Sequence, residues 1–188
     1  MSSEPIEFRV FCPGDLPEIM RIQDANCISN LSQEQRADGF LSVAFSASQF
    51  VAMHREIPVV VADCGHHLGG FMCGCTLASG ARVPLLGRMI SLFPQTLYKG
   101  RPLDQYTAFI YGPVCVDRAY RGKGVIEGLF GAFLAQLAGR YDVGALFALW
   151  KTHDPCMPIS ISWACASCAI FHSAAKNMAC WFLRCQGS

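Results

Sequence analysis

The chain has 188 residues, of which 52% are hydrophobic and 15% charged, and its formal net charge at pH 7 is +1. This length is sufficient for one domain whose core needs no metal or disulfide. The small net charge excludes a large basic surface for nucleic acid, and no apolar run is long enough to cross a bilayer. The first residues lack the basic start and apolar core of a secretory signal. We therefore expect a cytoplasmic protein with neither nucleic-acid nor membrane partners.

The eleven cysteines are expected to be reduced thiols. An odd number cannot all pair within one chain, and nothing in the sequence suggests secretion. Cys165 and Cys168 form a C-x-x-C pair that His172 follows, but no second ligand pair has suitable spacing. We therefore predict no metal site. A cysteine-based zinc or redox module is the interpretation of the chain that we rank last.

The first half of the chain predicts a strand, helices and a hairpin, in that order. Residues 8–11 predict a strand, and a helix is expected after Asp15, with Glu18 completing a capping box. The apolar spacing between Gln33 and Arg55 predicts one or two further helices. Apolar runs within residues 57–77 flank the turn "CGHH" and predict an antiparallel hairpin.

The second half predicts helix, strand, helix and strand. Residues 83–94 predict a short amphipathic helix that ends at Pro94, and residues 105–117 predict the strongest strand of the chain. Residues 143–150 predict the next buried strand, for which parallel pairing with 105–117 is one option. The fold class is therefore mixed α/β. The helix between these strands has its apolar face at Ile126, Leu129, Phe130, Phe133, Leu134 and Leu137.

A basic, glycine-bearing turn joins the strongest strand to this last helix in "VCVDRAYRGKGVIEGLF", residues 114–130. Glycines allow close backbone approach, and free N–H groups at a helix start face an anion that the helix dipole also favours. Residues 122–126 would supply those N–H groups, with Arg121 and Lys123 adding positive charge at the rim. A tight turn without a ligand is the alternative. Neither the P-loop pattern nor the dinucleotide fingerprint is present.

The segment "GPVCVDRAYRGKGV" resembles the acyl-CoA-binding motif of the GNAT superfamily of N-acyltransferases, with the core pattern R/Q-x-x-G-x-G/A. Ile126 departs from the pattern, which usually has Gly or Ala there; its backbone donor remains, but its side chain narrows the approach to the pyrophosphate. The order of predicted elements over residues 6–149 agrees with the family. The motif occupies Arg121, Gly122, Lys123, Gly124, Val125 and Ile126.

The resemblance implies a GNAT-type mixed, mostly antiparallel sheet flanked by helices, and acetyl-CoA as co-substrate without a metal. It implies that the motif strand splays from its neighbour, and that the pantetheine arm bonds the strand backbone at Cys115 and Val116. The implied reaction is direct transfer of an acetyl group to an amine, with a general base and a general acid.

The catalytic residues stay unassigned. Some relatives have a glutamate on the motif strand where this chain has Ile110. Tyr111 is either a base that reaches a substrate or an ordered water, or a core residue. His54 has no evident partner in the sequence, and His66 and His67 lie at a hairpin turn where surface histidines are ordinary.

The composition changes near Trp150, and residues 151–188 are an atypical C-terminal part with few charges and no glutamate. We hypothesise that this tail is a frameshift product of a GNAT domain spanning residues 1–150. In the neighbouring frame the codons of Trp150 and Lys151 must give Glu, and the segment can be written ENPRSLHAHLNQLGMR, similar to a family helix. A helix over residues 163–182, buried on the sheet or on a partner chain, is the alternative.

These features predict an N-acetyltransferase that acts on a small-molecule or peptide amine. Read as written, the tail lacks the family's final helix and β-hairpin, so CoA binding at residues 121–126 with weak or absent turnover is expected. The alternative is a non-catalytic CoA-binding or self-associating protein of GNAT fold. The resemblance also implies homodimers, since GNAT proteins often form them.

Overall fold

The computed structural model describes residues 5–38, 40–41, 44–149, 170–175 and 178–184. These residues contain five α-helices and nine β-strands. The helices are α1 (Leu16–Asn26), α2 (Ala47–Glu56), α3 (Leu77–Gly80), α4 (Pro84–Ile90) and α5 (Val125–Leu137). The strands are β1 (Glu7–Val10), β2 (Val60–Asp63), β3 (Leu68–Thr76), β4 (Leu97–Tyr98), β5 (Arg101–Pro102), β6 (Ala108–Val116), β7 (Val143–Leu149), β8 (Ile170–Ala175) and β9 (Met178–Arg184).

The chain forms two compact units, and β6 contributes to both. The first unit comprises Met1–Gly74 and Gly112–Gln136, and its strands follow the order β1, β2, β3 and the C-terminal half of β6. The second comprises Cys75–Tyr111 and Leu137–Ser188, and its strands follow the order β6, β7, β9, β8. The pairs β1–β2, β2–β3, β4–β5, β7–β9 and β8–β9 are antiparallel, and β6 pairs with β7 in parallel. The predicted mixed α/β class with a mostly antiparallel sheet is confirmed.

The first unit has a core that the early helices close. Phe50 of α2 meets Phe71 of β3 in a T-shaped pair with ring centroids 5.4 Å apart, and β3 is buried along nearly its whole length. The predicted hairpin within residues 57–77 is confirmed as the antiparallel pair of β2 and β3. The cluster comprises Phe11, Ile19, Ile22, Phe50, Val59, Val61, Leu68, Phe71, Cys73 and Cys115.

The start of α1 differs from the predicted capping box, although the helix does begin after Asp15. The carboxylate of Asp15 accepts from the guanidinium of Arg9 at 2.8 Å and from the N–H of Cys12 at 2.7 Å. Glu18 pairs instead with Arg21 at 3.1 Å. The capping box was wrong because a 3-10 turn over Pro13–Asp15 turns the carboxylate of Asp15 back towards β1.

Two further predicted elements have different bounds. One full helix, α2, occupies the predicted helical region Gln33–Arg55, preceded by a 3-10 turn at Gln35–Asp38. The helix predicted over residues 83–94 ends at Ile90, and a separate 3-10 turn contains Pro94. None of the helices in the described ranges is both long and apolar enough to span a bilayer.

The second unit confirms the parallel pairing of the two late strands. Ala108, Phe109 and Ile110 of β6 pair with Val143, Gly144 and Ala145 of β7. β7 then pairs over its full length with β9, and β9 pairs with β8.

The described part of the tail therefore forms a β-hairpin. The alternative of a helix over residues 163–182 is wrong where the structure describes them, and so is the expectation that the tail lacks a hairpin. A strand satisfies the backbone N–H and C=O groups along β7, which a helix cannot do. Residues 151–169, where the proposed shift of frame begins, lie outside the described residues.

Candidate functional site

The turn between β6 and α5 is held by backbone contacts at its start. The N–H of Asp117 donates to the carbonyl of Gly69 on β3 at 2.9 Å, and the carboxylate of Asp117 accepts from the N–H of Ala119 at 2.9 Å. A 3-10 turn over Arg118–Tyr120 follows. Arg21 of α1 reaches the same Asp117 carboxylate at 2.8 Å. The chain therefore leaves β6 in a defined direction.

Two glycines of this turn adopt backbone conformations that other residues rarely take. Gly122 has φ +73° and Gly124 has φ +77°, and a Cβ added at either would meet no heavy atom within 4 Å. Glycine is required here by backbone conformation rather than by lack of space. The space beside the turn is open to a ligand.

The backbone N–H groups of residues 122–127 form the main feature of the site. Among the described residues, none of them donates a hydrogen bond to a backbone carbonyl. The first paired N–H is that of Gly128, which donates to Gly124 at 3.1 Å as α5 begins. Unpaired N–H groups at the start of a 13-residue helix present partial positive charge to solvent. This arrangement suits a phosphate or pyrophosphate group.

Val125 fixes the first turn of α5 against the sheet. Its side chain is 2% exposed, and its Cγ1 would lie 3.2 Å from a Cβ added at Gly70 of β3. Because Gly70 lacks that Cβ, the helix start approaches the sheet closely. Ile126, which departs from the family pattern, is half-buried beside it.

The two basic side chains expected at the rim of the turn, Arg121 and Lys123, have different surroundings in the structure. Lys123 remains exposed, with Nζ 5.1 Å from the ring centroid of Tyr120. The guanidinium of Arg121 instead donates to Oδ1 of Asn26 at the end of α1, at 2.8 Å. The structure thus places one of the two expected charges beside the unpaired N–H groups.

Cys115 and Val116 are 4% and 8% exposed. The Cys115 thiol belongs to the core of the first unit, and burial raises its pKa to about 12. The thiol therefore stays protonated at neutral pH and cannot act as a nucleophile. A ligand could use these residues only through their backbone, as the resemblance implies.

Ile110, at the position of the family's glutamate, is 3% exposed and packs towards Gly80 of α3. Position 110 therefore offers no carboxylate of its own. Tyr111 is 3% exposed, with its ring centroid 6.5 Å from that of Phe109. Burial in β6 agrees with the core alternative for Tyr111.

The structure describes the surroundings of the three histidines considered from the sequence, His54, His66 and His67. His54 does have a partner, contrary to the expectation from sequence, because the N–H of Val59 donates to its Nδ1 at 3.2 Å. That bond places the proton of the neutral ring on Nε2. His67 is exposed, with Nδ1 3.5 Å from the carboxylate of Glu18, and His66 is exposed at the same turn. Over the residues that the structure describes, no His, Cys, Asp and Glu side chains cluster as a metal would need.

Sequence reasoning missed two buried amides on α1, Gln23 and Asn26, which are 1% and 8% exposed. The Gln23 amide donates to the carbonyl of Phe45 at 2.9 Å and accepts from its N–H at 2.7 Å. A signal was present, since both amides share the face of α1 that carries the buried Ile19 and Ile22.

No family model matches the chain, and no curated protein matches it. Several solved structures, in contrast, are similar to this chain. The crystal structure of Ard1 from Thermoplasma volcanium matches with TM-score 0.56 and 16% identity, over 96% of this chain and 99% of that chain. A GNAT family acetyltransferase from Brucella melitensis in complex with acetyl-CoA matches with TM-score 0.52 and 16% identity, over 94% and 87%.

A third structure, yncA from Salmonella typhimurium, a putative acetyltransferase with its cofactor acetyl-CoA, matches with TM-score 0.51 and 12% identity, over 96% of this chain and 93% of that chain. Likeness at such low identity shows the fold alone. These matches cover nearly the whole chain. The chain has the fold of the GNAT superfamily.

Proposed function

We propose that this chain is an N-acetyltransferase, which transfers an acetyl group from acetyl-CoA directly to the amine of a small molecule or peptide. The observation that carries the proposal is the run of unpaired N–H groups over residues 122–127, opened by two glycines with positive φ and followed at once by α5. Two of the similar structures contain acetyl-CoA, which supports the choice of ligand.

In this proposal the N–H groups of residues 122–127 bind the pyrophosphate of acetyl-CoA, and Lys123 adds charge beside it. The amide of Ile126 donates from the first turn of α5, although its side chain is larger than the usual Gly or Ala. The backbone of Cys115 and Val116 holds the pantetheine arm. Acetyl-CoA supplies an activated thioester.

The reaction requires the acceptor amine to lose a proton, and this chain has Ile110 where some relatives have a glutamate that could take it. The amine nitrogen attacks the thioester carbonyl carbon, the C–S bond breaks, and the amine gives up a proton while the leaving sulfur gains one. Since Ile110 is buried and apolar, the amine enters unprotonated or passes its proton to water. Turnover is then expected to rise with pH until the acceptor amine is deprotonated.

The second candidate is that the chain binds CoA without catalysing transfer, and the buried Ile110 is the observation that favours it. A buried isoleucine at this position leaves binding intact while removing a base. Homodimer formation belongs to both proposals, as an expectation from the resemblance.

Calorimetry with CoA and acetyl-CoA tests the shared part of the two proposals. We expect saturable binding that weakens with salt, because a polyanion is bound. No heat of binding at millimolar acetyl-CoA would overturn both. A panel of amines with detection of released thiol then separates them: amine-dependent thiol release supports the enzyme, and binding without release by any amine supports the non-catalytic protein. Light scattering reports whether the chain is a dimer.

A further inference from the structure

We propose that Asn26 is a positioning residue of the candidate CoA-binding turn, acting through Arg121. Its side-chain oxygen accepts from the Arg121 guanidinium and so fixes the residue that immediately precedes the run of unpaired N–H groups. The role in binding CoA rests on the proposed function, whereas the Asn26–Arg121 contact is a property of the free chain.

The contact joins side chains 95 residues apart, with Nη2 of Arg121 2.8 Å from Oδ1 of Asn26. Asn26 is 8% exposed, and its Nδ2 donates to the carbonyl of Ile22 at 2.7 Å. Because that carbonyl can only accept, the amide keeps its nitrogen on α1 and its oxygen towards Arg121. Rotation of the amide would lose both bonds.

The helix dipole supports the same contact. Asn26 is the last residue of α1, which has 11 residues, and a guanidinium at a helix C-terminus is stabilised by the partial negative charge there. A hydrogen bond from a charged donor to a buried acceptor is stronger than one between neutral groups. The positive charge of Arg121 is therefore paired with the C-terminal end of α1. Lys123 is then the charged side chain that remains beside the turn.

The two glycines explain why the turn needs an anchor. Gly122 and Gly124 have positive φ and open surroundings, so neighbouring side chains do not restrict them. Val125, 2% exposed, fixes the end of the turn, and Arg121 fixes its beginning. A turn held at both ends has less conformational entropy to lose when a ligand binds.

Asn26→Ala is a selective variant. The main-chain carbonyl of Asn26, which accepts from the N–H of Leu41 at 2.8 Å, survives the substitution. Gln23→Ala is the matched control, because it also removes a buried amide of α1 but one whose partner is Phe45.

The first arm of the test uses thermal unfolding of the full chain without ligand. Asn26→Ala and Arg121→Ala are each expected to lower Tm by about 3 °C, and the double variant by clearly less than the sum, because both remove one bond. Asn26→Ala combined with Lys123→Ala should be additive. Additive losses for Asn26 and Arg121 would overturn the anchor.

The second arm is calorimetry with CoA at low and high salt. We expect Asn26→Ala and Arg121→Ala each to weaken CoA binding about tenfold at both salt concentrations. Asn26→Asp keeps an acceptor for the guanidinium but loses the donor to the Ile22 carbonyl, so it should bind CoA more tightly than Asn26→Ala without reaching the affinity of the unsubstituted chain. Gln23→Ala should stay within about twofold of the unsubstituted chain. Lys123→Ala should lose most at low salt.

Unchanged CoA affinity in Asn26→Ala would overturn the positioning role. So would a loss in Arg121→Ala that disappears at high salt, since that result would make Arg121 a direct phosphate ligand. An unsubstituted chain that binds no CoA would overturn the proposed function and with it the positioning role, and the unfolding arm would then decide the contact alone.

Discussion

At the scale of single residues, the structure separates two reasons for a glycine. Gly124 in the turn and Gly131 in α5 both have open surroundings, with no heavy atom within 4 Å of an added Cβ. They differ in φ, which is +77° only at Gly124. Any effect of a methyl group at Gly124 therefore comes from the backbone.

We predict that Gly124→Ala lowers the free energy of unfolding by about 1–2 kcal/mol, the cost of a left-handed conformation for an L-residue. It should also weaken CoA binding, because relief of that strain moves the N–H groups. Gly131→Ala should instead stabilise the chain by about 0.5–1 kcal/mol. Urea unfolding and calorimetry measure both, and equal effects at the two positions would contradict the assignment.

Some residues of the candidate site could be predicted from the sequence, and others could not. Gly122, Gly124 and the start of α5 were found because a glycine-bearing turn before a periodic helix is a local pattern. Asn26 was missed, since its partner Arg121 is 95 residues away and nothing local pairs them. His54 was read as lacking a partner for a different reason: its partner is a backbone N–H only five residues away, and a backbone group leaves no signal in the sequence.

At the scale of elements, α5 packs on β1 through a glycine. Phe8 of β1 lies where a Cβ on Gly128 would be, with its ring atoms the nearest contacts. The approach of helix and strand depends on this missing side chain, and α5 in turn carries the N–H groups of the site.

We predict that Gly128→Ala lowers the free energy of unfolding by about 1–3 kcal/mol through overpacking. Phe8→Leu in the same chain should recover part of the loss, because the smaller side chain leaves room for the methyl group. Gly131→Ala, on an exposed position of the same helix, is the control for helix propensity. Gly128→Ala with unchanged stability would show that α5 can shift freely on β1.

Element types were predicted better than their ends. The spacing of apolar residues indicated β2, β3, β6, α5 and β7 correctly. The capping box at Asp15 failed because Arg9, on a different element, offers the carboxylate a charged partner at 2.8 Å. Tertiary contacts of this kind compete with local capping, and the sequence alone does not rank them.

At the scale of the whole molecule, stability is expected to depend on the ion pair between the buried carboxylate of Asp15 and Arg9. Burial alone would raise the pKa of Asp15, but hydrogen bonds from Arg9 and the N–H of Cys12 outweigh it, so the pKa is lowered from 3.8. A carboxyl whose pKa is lower in the folded chain stabilises the fold above its unfolded value, and this contribution is lost as pH falls through the folded pKa.

We predict that Asp15→Asn is less stable than the unsubstituted chain by about 2 kcal/mol near pH 7. The difference should shrink as the pH falls below 3.8, where the unsubstituted chain also loses its carboxylate. Urea unfolding across this pH range measures it. Asp24→Asn, an exposed carboxyl on α1, is the control, and a constant difference for Asp15→Asn down to low pH would contradict the prediction.

The division into a GNAT domain of residues 1–150 and a frameshifted tail of residues 151–188 stays a proposal. Sequencing the gene across codons 145–155 tests it, since the proposal requires a neighbouring frame that reads ENPRS. An intact mass separately reports which tail the chain carries. A gene without that neighbouring frame would overturn the frameshift proposal.

The sequence by itself determined the mixed α/β class, the order of the main elements through β7 apart from α3, β4 and β5, and the place of the glycine-bearing turn before α5. These features depend on apolar period and glycine positions, which are properties of neighbouring residues. The tertiary structure alone decided that Arg121 faces Asn26, that His54 accepts from Val59 and that the described tail pairs with β7 as a hairpin. The physical reason is that the first and third contacts join groups far apart in the chain, whose approach is set by the packing of whole elements. The second depends on how the chain turns from α2 into β2 and on a backbone N–H, which no residue type reveals.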